Sequence, residues 1–191
     1  MTLSTLYRTA AVAGLASALV LLVNTAKRAE VIPTTAVTQL VAPLAQVLAL
    51  ALVVALFART GRRSGSFGTV AFGLNFAALA LLVGVEFVLN LVFPRVDDAT
   101  VDALRAGPLG VALTVSSILF LLSTAVFAAS LWRREGPPRP ALLLYAAGAI
   151  PVSLRTAVPE AALQVGLLLL AAAICWLSLW LWSTSRDPLP A

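Results

Sequence analysis

Two side chains in the stretch LLVGVEFVLNLVF, residues 81–93, could do chemistry: the carboxylate of Glu86 and the amide of Asn90, with every other residue there apolar or glycine. An acid in such surroundings has two chemical uses. Paired with a cation it is a fixed anion, able to orient helices or a ligand. Unpaired, it is a neutral acid able to donate a proton. A second acidic group, Asp97, Asp98 and Asp102, follows as DDATVD. Carboxylates at that spacing can hold magnesium against a diphosphate, but Asp97 and Asp98 also stand where a short helix needs its N-terminal cap. Val101 and Leu104 would form one apolar side of that helix, and Gly107-Pro108 would stop it. Capping is the simpler reading, so no metal site is assigned to Asp97, Asp98 or Asp102. The chain has no histidine and a single cysteine, Cys175. Histidine-held haem or zinc, His-based triads and internal disulfides are thereby excluded. No cofactor is expected.

The elements that must position Glu86 are membrane spans. Of the 191 residues, 61% are hydrophobic and 11% charged, against about 25% charged in soluble domains. Six apolar runs fall at about 6–23, 37–58, 67–93, 109–132, 141–157 and 160–182, each near the ~20 residues that cross a bilayer. The fifth is the shortest and contains Pro151 and Arg155. The expected fold is an all-α polytopic transmembrane helix bundle of about six spans, forming one domain over residues 1–191. The net charge of +5 lies in short gaps between runs rather than along a basic stripe, so it sets topology and does not bind nucleic acid. Arg8, Arg59, Arg62, Arg63, Arg133, Arg134, Arg139 and Arg186 fall on the side of the termini, and Lys27, Arg28, Arg95, Arg105 and Arg155 on the other, eight against five. That asymmetry predicts cytoplasmic termini. The arginine-rich, Ala/Gly/Leu-rich composition fits a high-GC bacterial source, and with it the inner (cytoplasmic) membrane.

Glu86 then lies seven residues before the end of its run, about 10 Å along the axis, in the outer half of the bilayer. Asn75, Leu79, Leu82, Glu86, Asn90 and Phe93 recur at spacings of three and four and share one helical stripe. A carboxylate facing lipid is costly, so the stripe should face the bundle interior. Arg155 reaches a similar depth and is the natural partner of Glu86. Asn24, Gln39, Glu160 and Gln164 come near the same level. The candidate binding residues are therefore Glu86, Asn90, Arg155, Asn75, Gln39 and Gln164. The inner half offers only the amides Asn75 and Gln46. Ala10, Gly14 and Ala18 on the first span, and Ser116, Ser123 and Ser130 on the fourth, read as close-packing faces.

The stretches LYRTAAVAGLASALVLL and SSILFLLSTAVFAASLWRREGPPRP resemble uncharacterised six-span bacterial membrane proteins, domains of unknown function. That resemblance implies a compact helical bundle and no established activity. A further resemblance is to small integral-membrane terpene cyclases, which start a carbocation cascade with a buried acid between aromatic walls. It implies Glu86 as the catalytic general acid, Phe72, Phe76 and Phe87 as walls, and DDATVD as a diphosphate site. Three functions compete: an accessory or lipid/amphiphile-binding membrane protein, an isoprenoid cyclase and a small transporter. Their expected partners are the bilayer, a lipid or isoprenoid ligand, and other membrane subunits. The observation that separates them is whether Glu86 faces Arg155 or an aromatic cavity.

Overall fold

A computed structural model describes residues 3–60, 65–132 and 136–185; Arg62, Arg63, Arg133, Arg134 and Arg186 lie outside the described residues. The described chain is helical: α1 (Leu3–Arg28), α2 (Ala36–Val41), α3 (Leu44–Arg59), α4 (Gly65–Phe87), α5 (Asp98–Ala106), α6 (Pro108–Ser130), α7 (Arg139–Ser153) and α8 (Glu160–Ser183). Among the described residues, five segments are long and apolar enough to cross a membrane: Leu3–Arg28, Ala36–Arg59, Gly65–Arg95, Pro108–Ser130 and Glu160–Ser183. The protein is thus an all-α bundle of membrane-protein type. The fifth apolar run departs from the expected 141–157. It forms α7, whose 15 residues rise about 22 Å, short of a ~30 Å hydrocarbon core. Pro151 lies inside α7, where it removes the amide that would bond to the Ala147 carbonyl, and the helix ends two residues later, at Ser153.

The long helices close into a ring. α1 packs against α3 and α8, α3 against α4, α4 against α6, α6 against α7, and α7 against α8. Such packing is carried by small residues that let backbones approach. Gly14 of α1 meets Ser178 of α8 and Leu52 of α3, with Ala10 and Ala18 buried beside it. α7 also crosses α8 closely, backbone against backbone. A Cβ on Gly148 would lie 2.8 Å from both the Gly166 carbonyl oxygen and the Leu170 amide nitrogen, and one on Gly166 would strike Pro151. Arg8 Nε donates to Ser185 Oγ at 3.3 Å, so the start of α1 and the end of α8 share one end of the bundle. The opposite, distal end carries the polar cluster described below.

Three breaks shape that distal end. Pro43 separates α2 from α3. α4 widens after Phe87 into a π turn, Val88–Val92, and then tightens into a 3₁₀ turn, Phe93–Arg95. Pro94 explains this: in a regular helix its ring would clash with the Asn90 carbonyl, and the chain instead closes Phe93 N–H onto the Val88 carbonyl, five residues back. Arg95 Nη1 donates to the Leu91 carbonyl at 2.9 Å, which satisfies an acceptor at the disturbed terminus. α5 follows as the expected short helix. Asp97 is its N-cap, accepting from Thr100 N–H and from the Thr100 hydroxyl, both at 2.9 Å. These hydrogen bonds hold the Asp97 carboxyl below the usual carboxylate range, and the capping accounts for its position.

The Gly148 crossing is directly testable. In Gly148→Ala the new methyl meets backbone, which cannot swing away, and the expected cost is about 1–3 kcal/mol, read as a lower Tm in detergent. Gly84→Ala is the control, since a Cβ there meets nothing within 4 Å, and it should lose no stability.

Candidate functional site

Glu86 faces inward, 8% exposed, on the same side as buried Asn75, Leu79 and Leu82. Its Oε2 accepts from Asn90 Nδ2 at 2.9 Å and its Oε1 from Arg155 Nη2 at 3.4 Å. Asn90 Nδ2 also reaches the Glu86 backbone carbonyl at 2.9 Å, a contact made on the π turn. On its other side Asn90 Oδ1 accepts from Lys27 Nζ at 2.7 Å. The result is a chain of four polar groups, Lys27–Asn90–Glu86–Arg155, that ties α1, α4 and the end of α7 together. Two cations flank one carboxylate. The Arg155–Glu86 contact is longer than the 2.7–2.9 Å typical of charge-assisted bonds, so it is a loose ion pair. Its side chains are 21% and 11% exposed.

The remaining expected residues divide. Asn75, 0% exposed, belongs to a separate clamp: Nδ2 donates to Thr124 Oγ1 at 3.1 Å and to Ser123 Oγ at 3.5 Å, while Tyr145 Oη donates to Oδ1 at 3.3 Å. It joins α4, α6 and α7 and does not reach the Glu86 cluster. Gln39 and Gln164 are half-buried and make no side-chain hydrogen bond to Glu86, Asn90 or Arg155. Glu160 pairs at the exposed rim with Arg28, Nε to Oε1 at 2.8 Å and Nη2 to Oε2 at 3.1 Å. Gln46, which the sequence places in the inner half, instead lines the same small void as Glu86 and Arg155. The 37–58 run starts at the distal end, and the break at Pro43 keeps its tenth residue there. Asp98 and Asp102 are exposed on α5.

Three spaces meet at the cluster. A central cavity of about 50 Å³ is lined by all six ring helices, among them Leu52, Leu79, Phe120, Phe127, Tyr145 and Leu170. A lateral groove of about 320 Å³ runs between the distal parts of α4, α5, α6 and the end of α7. Between them lies a void of about 20 Å³, enough for about one water molecule. Ser117, Ser153 and Arg155 border both the void and the groove, whereas Gln46, Leu82, Glu86 and Phe120 border both the void and the central cavity. The Glu86–Arg155 pair therefore stands where the groove meets the interior. Gln46 Oε1 and Ser153 Oγ are buried there without a partner among the described residues, so the junction presents unsatisfied polar atoms between the apolar side chains of Leu82, Val85, Phe120 and Val152.

Phe72 stacks on Phe57 at 4.3 Å and tilts against Phe76 at 5.8 Å, and Phe76 and Phe87 are exposed. None of Phe72, Phe76 and Phe87 lines the central cavity, whose aromatic groups are Phe120, Phe127 and Tyr145. Lys27 is the residue that sequence reasoning counted only as a topological charge. The available signal was its depth, at the end of the first span, level with Asn90. No protein-family profile, curated protein or solved structure matches this chain.

The ion pair predicts energetic coupling. Glu86→Gln and Arg155→Gln should each lower the Tm in detergent, and the double variant should lose less than the sum. A coupling of about 1 kcal/mol is expected for a largely buried but loose pair. Strict additivity would remove the pair from the account.

Proposed function

We propose that the protein is a polytopic membrane protein that binds a lipid or similar amphiphile beside Glu86, and that it does so without chemistry on the ligand. The carrying observation is the placement of the Glu86–Arg155 pair at the junction between an open lateral groove and the bundle interior. The groove has the make-up of a ligand site: apolar walls from Val85, Leu89, Leu113 and Ile118, and a few polar groups, Arg105, Ser117 and Arg155, among them. Both oxygens of Glu86 accept hydrogen bonds, from Asn90 and Arg155. This suits an anchor that fixes Arg155 at the groove better than an acid delivering a proton. The orientation that accompanies this reading puts the termini in the cytoplasm of a bacterial cell and the groove in the outer leaflet, on the strength of the basic asymmetry. α7 then reaches the outer half with its end wetted by Arg155.

Purification in a mild non-ionic detergent followed by native mass spectrometry tests the binding reading. Wild type should retain lipid. Ile118→Trp, which fills the groove from its exposed wall, should reduce the retained lipid several-fold with the Tm unchanged. Lipid retention that is absent in wild type, or untouched by Ile118→Trp, would overturn it. Cysteine at Thr100 in a Cys175→Ser background should be labelled by an impermeant maleimide from outside intact cells, and labelling only after lysis would reverse the orientation.

A further inference from the structure

We infer that the lateral groove selects an anionic, phosphate-bearing lipid headgroup, with Arg105 and Arg155 as its cationic ligands. This rests on the amphiphile-binding reading and adds the ligand's class. Among the described residues the lining contains two arginines and no carboxylate. The acid nearest to Arg155, Glu86, lies on the far side, at the void, and engages Nη2 alone. Nε and Nη1 of Arg155 have no protein partner among the described residues, so most of the five-donor guanidinium stays available. Arg105 sits over the Phe93 ring at 5.2 Å, a cation–π contact that holds the guanidinium in place while leaving its N–H groups uncommitted. Both belong to the residue type whose planar fork matches phosphate oxygens bidentately.

Hydroxyl groups complete the donor set. Ser117 and Thr156 line the groove with the arginines and make no side-chain hydrogen bond among the described residues. Ser153 lines it as well, with its buried Oγ unpartnered. Thr114, by contrast, spends its proton on the Gly110 carbonyl at 2.9 Å. Along α6 the groove extends from Gly110 to Ile118, about 12 Å of helix. Its deeper end carries Arg155 and Ser117 beside Val85 and Ile118, and Arg105 marks its distal end. An anion in the groove draws on both arginines, with its hydrocarbon against Leu89, Leu113 and Ile118. A lipid in the plane of the membrane reaches the groove sideways, past the exposed side chain of Ile118. Basic pockets between transmembrane helices bind phosphate headgroups by this same combination of charge and apolar support.

The test uses delipidated full-length protein and two probes with the same tails, dioctanoyl phosphatidic acid and dioctanoylglycerol, with glycerol phosphate as the tail-less probe. Affinities are read by native mass spectrometry and by Tm shift. Phosphatidic acid should bind at least about tenfold more tightly than dioctanoylglycerol, a difference of about 1.4 kcal/mol. Arg105→Gln should abolish most of that preference; Arg105 is exposed and outside the buried ion pair, so the fold should persist. Ser117→Ala should weaken the preference further without changing dioctanoylglycerol binding. Equal affinity for the two lipids would overturn the headgroup inference and leave the amphiphile reading standing. Binding of neither lipid would overturn both. A preference that survives Arg105→Gln intact would place the anion elsewhere and overturn the assignment. Glycerol phosphate binding as tightly as phosphatidic acid would show a phosphate site indifferent to the tail, against a lipid ligand.

Discussion

A carboxylate held away from water among apolar helices must be met by donors, and the distal half of this bundle is organised around meeting Glu86. Exposing an acid to hydrocarbon costs about 3 kcal/mol on insertion scales. Turning it inward removes that cost only if its oxygens are satisfied there. The donors come from its own helix, Asn90, and from the end of α7, Arg155, while Lys27 of α1 fixes Asn90. The Arg155 and Lys27 bonds cross two different helix boundaries, so the three helices cannot drift at this level without stranding a charge. The Asn75 clamp holds α4, α6 and α7 together deeper in the bundle. Interhelical polar contacts of this kind are worth about 0.6 kcal/mol each, so their larger effect is on which helices are neighbours.

Two prolines set the geometry that makes this cluster. Pro94 lies beyond Asn90 and forces the π turn on which the Asn90 side chain folds back to Glu86. Pro151 lies in the last turn of α7, which stops at Ser153, so Arg155 stands outside helical register. Its ring rests against Gly166, which couples the end of α7 to α8. π turns inside helices recur at functional sites because they re-aim a side chain at the cost of local regularity. Here the re-aimed group is the amide that links a lysine to a carboxylate. The groove is a by-product of the same irregularities: a full-length straight α7 and a regular α4 terminus would fill it.

Much of this was legible in the residues. Run lengths and charge poverty led to a helical membrane bundle, and the stripe from Asn75 through Glu86 faces inward as its 3–4 spacing requires. The juxtaposition of Glu86 with Asn90 followed from their i, i+4 spacing, and that with Arg155 from depth. Depth failed where a helix was not a straight rod. Gln46 was misplaced by the unforeseen break at Pro43, and Gln39 and Gln164 were assigned by level although level does not fix the direction a side chain faces. Lys27 was overlooked because a basic residue at a span's end has an ordinary topological use. The π turn is invisible to a periodicity argument, since one extra residue per turn changes the pattern only over its own length. The groove depends on the absence of side-chain volume between α4, α6 and α7, which a one-dimensional pattern does not encode.

The central claim is that Glu86 is the anion of an ion pair and not a proton donor. Infrared difference spectroscopy of wild type against Glu86→Gln, in bilayers near neutral pH and with glutamate labelled at the side-chain carboxyl with carbon-13, addresses it directly. The expected result is loss of a carboxylate stretching band, shifted again in Arg155→Gln. Loss of a protonated carboxyl C=O band instead would contradict the ion pair and restore Glu86 as an acid.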